Sequence, residues 1–137
     1  MNYEREIIEL HEFFEAWLGG KLEDTDANFQ RFVSVTGAGF HIIAPDGSRM
    51  ERDELRRQIR AAHGSRLTWR MWIENIRLHH QQGDLLLVTY EEWQQRDDAA
   101  PTARVTTALF RENAACPQGV EWLHVHETWI AAKMPPG

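Results

Sequence analysis

Residues 84–131 run DLLLVTYEEWQQR, DDAAP, TARVTTALFREN, AACPQG and VEWLHVHETWIA in succession. The three longer pieces are rich in Val, Leu, Thr, Tyr and Trp; the two shorter ones hold Pro with Asp or Gly. β-Branched and aromatic residues suit a pleated, half-buried backbone, and clusters of turn residues end it. A fourth segment of the same kind precedes them at about 66–80, closed by Gln81-Gln82-Gly83-Asp84. Short breaks between successive strands imply an antiparallel meander. The second half of the chain is therefore read as a sheet.

The first half reads differently. Ile7, Leu10, Phe14, Trp17 and Leu18 recur close to a 3.6-residue period and stop at Gly19-Gly20, which describes an amphipathic helix with a glycine end. A second, shorter helix starts at Asp24 or Thr25, either of which can cap free amides, and carries Phe29, Phe32 and Val33 inward. Phe40 to Ala44, then Pro45-Asp46-Gly47-Ser48, reads as a small hairpin. From Arg52 to His63 the spacing of Leu55, Ile59 and Ala62 is helical again, and Gly64 ends it. Three helices followed by a curved antiparallel sheet make an α+β domain, with the helices covering one face. The 137 residues form a single domain, 1–137, with a core at about 4–131 and a loose tail at 132–137.

Composition excludes several classes. A net charge of −6 argues against nucleic acid as a partner. The longest aliphatic run, Leu85–Val88, is far too short to span a membrane, and the acidic N-terminus is no signal peptide. The lone Cys116 forms no internal disulfide and suits a reducing, cytoplasmic setting. Six Trp against two Tyr require a core, an interface or a pocket for large rings.

Centring each loop predicts a register, and register decides faces. Ile76 is set opposite Val88, Trp72 opposite Glu92, Tyr90 opposite Ala108, Glu92 opposite Thr106, Phe110 opposite Trp122, and Thr106 opposite His126. One face then changes from apolar (Leu86, Val88, Phe110, Trp122) to polar, where Trp72, Tyr90, Glu92, Thr106, His124 and His126 form adjoining rows. A half-filled concave sheet of this kind makes a pocket. The other face, with Trp69, Trp93, Leu109, Val125 and Trp129, is also apolar and points to a homodimer.

Trp122, His126 and Thr128 within EWLHVHETW, Gly119 before them, VTYEEW at 88–93, VTTALFRE at 105–112 and the N-terminal helix together resemble the nuclear transport factor 2-like domains. The SnoaL-like proteins and the calcium/calmodulin-dependent kinase II association domain share the pattern, which here spans about residues 4–131. The resemblance implies a cystatin-like cone of curved sheet enclosing helices, a pocket at its open end, and a dimer through the sheet. It marks Trp122, His126 and Thr128 as pocket or pocket-supporting residues. This chain departs from the isomerase-like members, with no Tyr on the buried stripe of its first helix, and His124 stands where an aliphatic residue is commoner.

Two functions follow as expectations. One is a module that binds a small, mostly apolar molecule in a pocket formed by Trp72, Tyr90, Thr106, Trp122, His124 and Thr128. The other is a cofactor-free acid–base enzyme (an isomerase, dehydratase, cyclase or hydrolase) with His126 as base or acid and Glu92 orienting it. The bland reading of His126 is a core histidine hydrogen-bonded to Thr106 or Glu92. His124-x-His126 with Glu92 could bind zinc, but the sequence holds no longer ligand motif, so neither metal nor cofactor is expected. The arginines at 52, 56, 57 and 60 alternate with acids and read as a solvated face.

Overall fold

The computed structural model describes residues 1–136; Gly137, the end of the tail expected at 132–137, lies outside the described residues. Three helices form where periodicity places them. Helix α1 spans Tyr3–Leu18, with the Asn2 side chain accepting a hydrogen bond from the Arg5 amide. It stops at Gly19, and Gly20 adopts φ +71°, a left-handed conformation that costs glycine nothing. Helix α2 spans Asp26–Val33, and the Thr25 hydroxyl caps the Asn28 amide at 3.2 Å. Helix α3 spans Arg52–Ala61 and leans Leu55 and Ile59 on the core. No helix among the described residues is long and apolar enough to cross a membrane.

Six strands follow: β1 (Thr36–Ile43), β2 (Arg49–Glu51), β3 (Trp69–Gln82), β4 (Leu85–Arg96), β5 (Thr102–Glu112) and β6 (Val120–Trp129). They form one sheet in the order β2-β1-β6-β5-β4-β3. The meander β3 to β6 is antiparallel as expected. Strand β1 lies parallel to β6, which makes the sheet mixed. That pairing joins the two halves of the chain, and no local pattern encodes it. The helices lie in the concavity, where Ile7, Trp17, Val35, Leu86, Val88, Phe110 and Val120 are wholly buried. The described end of the tail is partly tied down, since the Ala103 amide donates to the Lys133 carbonyl at 3.0 Å.

The register departs from expectation at bulges. On β6, Phe110 does pair with Trp122, but Leu109 pairs with His124, leaving Leu123 as an extra residue. A single bulged residue reverses the face of everything beyond it. Val125 and Glu127 therefore turn inward, and His124, His126 and Thr128 turn outward. Strand β3 is irregular near Asn75, whose φ of 56° is left-handed, and again before His80. As a result Ile73, not Trp72, lies opposite Glu92. The β4–β5 pairing slides by two residues, placing Tyr90 opposite Thr106 and Glu92 opposite Arg104. A slide of two keeps the faces unchanged.

Candidate functional site

The inner face has a closed end and an open end. At the closed end Leu86, Val88, Ala108, Phe110, Val120 and Trp122 are at most 2% exposed. Toward the open end the rows become Tyr90–Thr106–Glu127 and Glu92–Arg104–Trp129. Helix α1 lies over them, and a cavity of about 100 Å³ remains between helices and sheet. Its walls are apolar, chiefly Leu10, Phe14, Phe32, Phe40, Leu55 and Val125, and its polar lining comes from Thr36, His11, Tyr90, Glu92 and Glu127.

His11 comes from the helix stripe. Its Nδ1 lies 2.7 Å from the Ile7 carbonyl oxygen and its Nε2 3.0 Å from Glu92 Oε1. Both neighbours are acceptors, so the ring carries a proton on each nitrogen and donates both. Burial opposes a charged imidazole, yet the Glu92 hydrogen bond and charge, with the Ile7 carbonyl, raise the His11 pKa. Glu92 moves the opposite way. Burial alone would raise it, but His11, Arg104 and the Gln94 amide hold its pKa down at about 2. The pair is an imidazolium–carboxylate couple sealed from water.

Glu127 meets a different environment on the neighbouring row. Burial, then the charge of Glu92, pushes its pKa up to about 7, against opposition from Arg104 and His11. Its one hydrogen bond is long, 3.5 Å from Arg104 Nη1. Arg104 is shared: its Nε is 3.6 Å from Glu92 Oε2, and its guanidinium carbon lies 4.6 Å from the Trp129 ring centre. Thr106 is wholly buried between Tyr90 and Glu127, and its hydroxyl has no hydrogen-bond partner. Two carboxylates in one pocket thus favour opposite protonation states.

A third buried carboxylate is structural. Glu6 accepts from both terminal nitrogens of Arg31, at 3.3 and 2.9 Å, and from the Trp122 indole at 2.9 Å. This bidentate pair fixes the Trp122 ring against Phe110, with centres 4.4 Å apart.

The predicted site residues divide. Tyr90, Glu92 and Trp122 line the cavity, and Thr106 lies on the same face just beneath it. His126 does not meet Glu92, because the Leu123 bulge leaves it exposed on the outer face. His124 and Thr128 go with it, and the His124 ring lies 4.6 Å from that of His41. Histidines and Glu92 on opposite faces of a sheet converge on no common ion. Trp72 is also outside, stacked on Trp93 at 6.0 Å. Of the expected dimer face, Trp93 and Leu109 do lie on the outer side. Trp69 is 6% exposed beneath the Arg66 guanidinium, Val125 lines the cavity, and Trp129 shares a row with Arg104. Arg56 is not merely solvated, since it donates to the Thr36 hydroxyl and the Val33 carbonyl at 2.9 and 2.8 Å.

Sequence reasoning missed His11 and Glu127. His11 carried a signal: a polar residue four past Ile7 and next to Leu10 sits on the buried stripe of α1. For Glu127 the signal was absent, because its inward direction depends on the bulge.

A family model described as the sucrose-6-phosphate phosphohydrolase C-terminal domain matches residues 3–131. The chain belongs to this family. Sucrose-phosphatase 1 of Nicotiana tabacum is 24% identical over 127 residues, which make up 91% of this chain and 30% of that protein. The chain therefore spans less than a third of that curated relative. Among solved structures, a nuclear transport factor 2-like protein of unknown function from Pseudomonas aeruginosa superposes with a TM-score of 0.82 at 23% identity, covering 94% of this chain and 98% of that one. The calcium/calmodulin-dependent kinase II hub of S. rosetta follows at a TM-score of 0.69 and 14% identity, covering 95% and 98%. At these identities the likeness is one of fold. This member of the sucrose-6-phosphate phosphohydrolase C-terminal family thus has the nuclear transport factor 2-like architecture that its last strand suggested.

Proposed function

We propose that this domain binds a small molecule in its cone and self-associates through the outer face of its sheet. One observation carries the binding reading: an apolar-walled cavity of about 100 Å³ closes on a buried, charged cluster. Stability alone gives no reason to leave space beside buried carboxylates, which cost free energy unless fully paired. Typical ligand clefts measure roughly 300–1,000 Å³, so the ligand is far smaller than the sugar phosphates that the relatives' names suggest. Xenon pressurisation of crystals tests the cavity directly. Density between Phe14 and Val125 is expected; an empty map there rules out a ligand-sized space.

Self-association rests on Leu87, Trp93, Val105 and Leu109, which lie on the side of the sheet away from the helices. Val105 is 40% exposed. The hub domain among the structural neighbours supports the same reading. Sedimentation equilibrium should give a dimer at micromolar concentration that Val105→Glu dissociates; a wild-type monomer sinks the idea. We place the protein in the cytoplasm, in keeping with its lone cysteine, whose thiol donates to the Ser34 carbonyl. Recovery in a membrane fraction overturns that placement.

A second reading, acid–base catalysis, has its own observation: Glu92 and Glu127 are held at about 2 and about 7 in one pocket. His11, not His126, then orients Glu92, and Glu127 is the group poised to exchange a proton near neutrality. Deuterium incorporation into a small ketone, followed by NMR and lost in Glu127→Gln, is the expected result. Equal rates with and without protein dismiss it.

A further inference from the structure

The identity of the ligand's polar group can be drawn from which hydrogen-bonding atoms around the cavity are already spent. Both N–H groups of His11 are consumed, by Ile7 and Glu92. Arg56 does not line the cavity, and its Nε and Nη2 donate to Thr36 and Val33. Arg104 does not line the cavity; its Nη1 donates to Glu127, its guanidinium lies over Trp129, and its buried Nε, 3.6 Å from Glu92, makes no hydrogen bond. Glu92 is occupied at both oxygens, by His11 at 3.0 Å and by Gln94 at 2.6 Å. Glu127 alone among the lining carboxylates has spare accepting capacity, and the unpartnered Thr106 hydroxyl lies directly across the strand from it. Among the described residues, no side chain lining the cavity has an unpaired N–H to offer a ligand carboxylate. The walls around this acceptor are aromatic: Phe14, Phe32, Phe40, Tyr90 and Trp122. Ring faces attract cations.

We propose that the pocket takes a small apolar amine as its ammonium ion, with the ammonium donating to Glu127 and the alkyl part lying among the aromatic rings. This inference rests on the reading of the cone as a ligand pocket and specifies its chemistry. Its charge balance is an exchange. Glu127 is faced by His11 from α1, Tyr90 and Glu92 from β4, and Arg104 from β5. His11, Glu92 and Arg104 together carry one net positive charge, so Glu127 ionised makes the cluster neutral. The entering ammonium takes the place of the Glu127 proton, which leaves to solvent, and the total charge does not change. Raised proton affinity at Glu127 supports the same exchange. Size limits the ligand further. A dry cavity of about 150 Å³ accommodates benzene, so the space here suits on the order of five non-hydrogen atoms.

The test is titration calorimetry of the full chain with n-butylamine, butan-1-ol and sodium butyrate between pH 6 and 8, in phosphate and in PIPES. Butylamine should bind, about tenfold more tightly at pH 8 than at pH 6, with close to one proton released per ligand at pH 6. Alkylamines stay protonated throughout this range, so the pH dependence belongs to the protein. Glu127→Gln should lose at least tenfold in amine affinity together with the pH dependence and the proton release. If that variant does not fold, proton release by the wild type still decides the matter. Butanol or butyrate binding as tightly as butylamine, or amine binding without proton release, overturns the amine assignment and leaves the pocket reading intact. Binding of none of the three also overturns it, and xenon density in the cavity then tells whether the pocket reading survives.

Discussion

The closed and open ends of the inner face belong to the same strands and meet their neighbours differently. At the closed end Phe110, Leu86 and Val88 fill space with aliphatic and aromatic carbon. At the open end Glu92, Arg104 and Glu127 occupy inward positions nearer the other end of the same sheet face, and a cavity remains beside them. One end holds the fold together, and the other keeps charges in a place where a protein built only for stability would put leucines. The two ends should therefore respond to substitution in different ways.

The largest effect belongs to the closed end. Phe110→Ala should destabilise by about 3–5 kcal/mol in chemical denaturation, from lost transfer energy and the cavity left behind. A loss under about 1 kcal/mol would mean that the closed end collapses freely and is not the structural anchor. At the open end, His11→Ala strands a buried carboxylate and should cost about 3 kcal/mol. The double variant His11→Leu/Glu92→Leu should be markedly more stable than the sum of the single losses, as coupled partners are non-additive. Strict additivity would show that the two side chains do not act as a pair.

Stability against pH sharpens the contrast between the two carboxylates. Glu92 has a depressed pKa, so its contribution is present above the ordinary carboxylate range and is lost as the pH falls toward 2. The Glu127 pKa is raised, so its contribution is full below about pH 4.5 and disappears as the pH rises through 7. Glu127→Gln should flatten the decline between pH 4.5 and 7, by on the order of 2–3 kcal/mol across the window. An unchanged profile in the variant would place Glu127 in water. The smallest effect is expected for His126→Ala, within about 0.5 kcal/mol, because that side chain is exposed. A large loss there would return His126 to the inner face.

The helices, their stops and the four meander strands were legible because each is a local pattern. Thr25 caps α2, Gly19-Gly20 ends α1, and turn residues separate the strands. Tyr90, Glu92 and Trp122 were legible as pocket residues because β4 is regular and Trp122 precedes the bulge. His124, His126, Thr128 and Trp72 were misplaced for one shared reason: a single extra residue, Leu123 on β6 or the kink at Asn75 on β3, reverses the faces beyond it. Side-chain alternation counts residues, and it has no means of detecting one that the ladder skips.

Sequence periodicity by itself determined the α+β class, the amphipathic first helix and the strands that carry most of the aromatic rings, since apolar residues at fixed spacing have few ways to leave water. Tertiary structure decided which residues meet. The β1–β6 pairing, His11 over Glu92, and Glu127 beside Arg104 each join positions far apart in the chain or beyond a bulge. The physical reason is that burial is a property of single residues and can be read along a chain. Pairing between charges depends on register, and one skipped residue changes it.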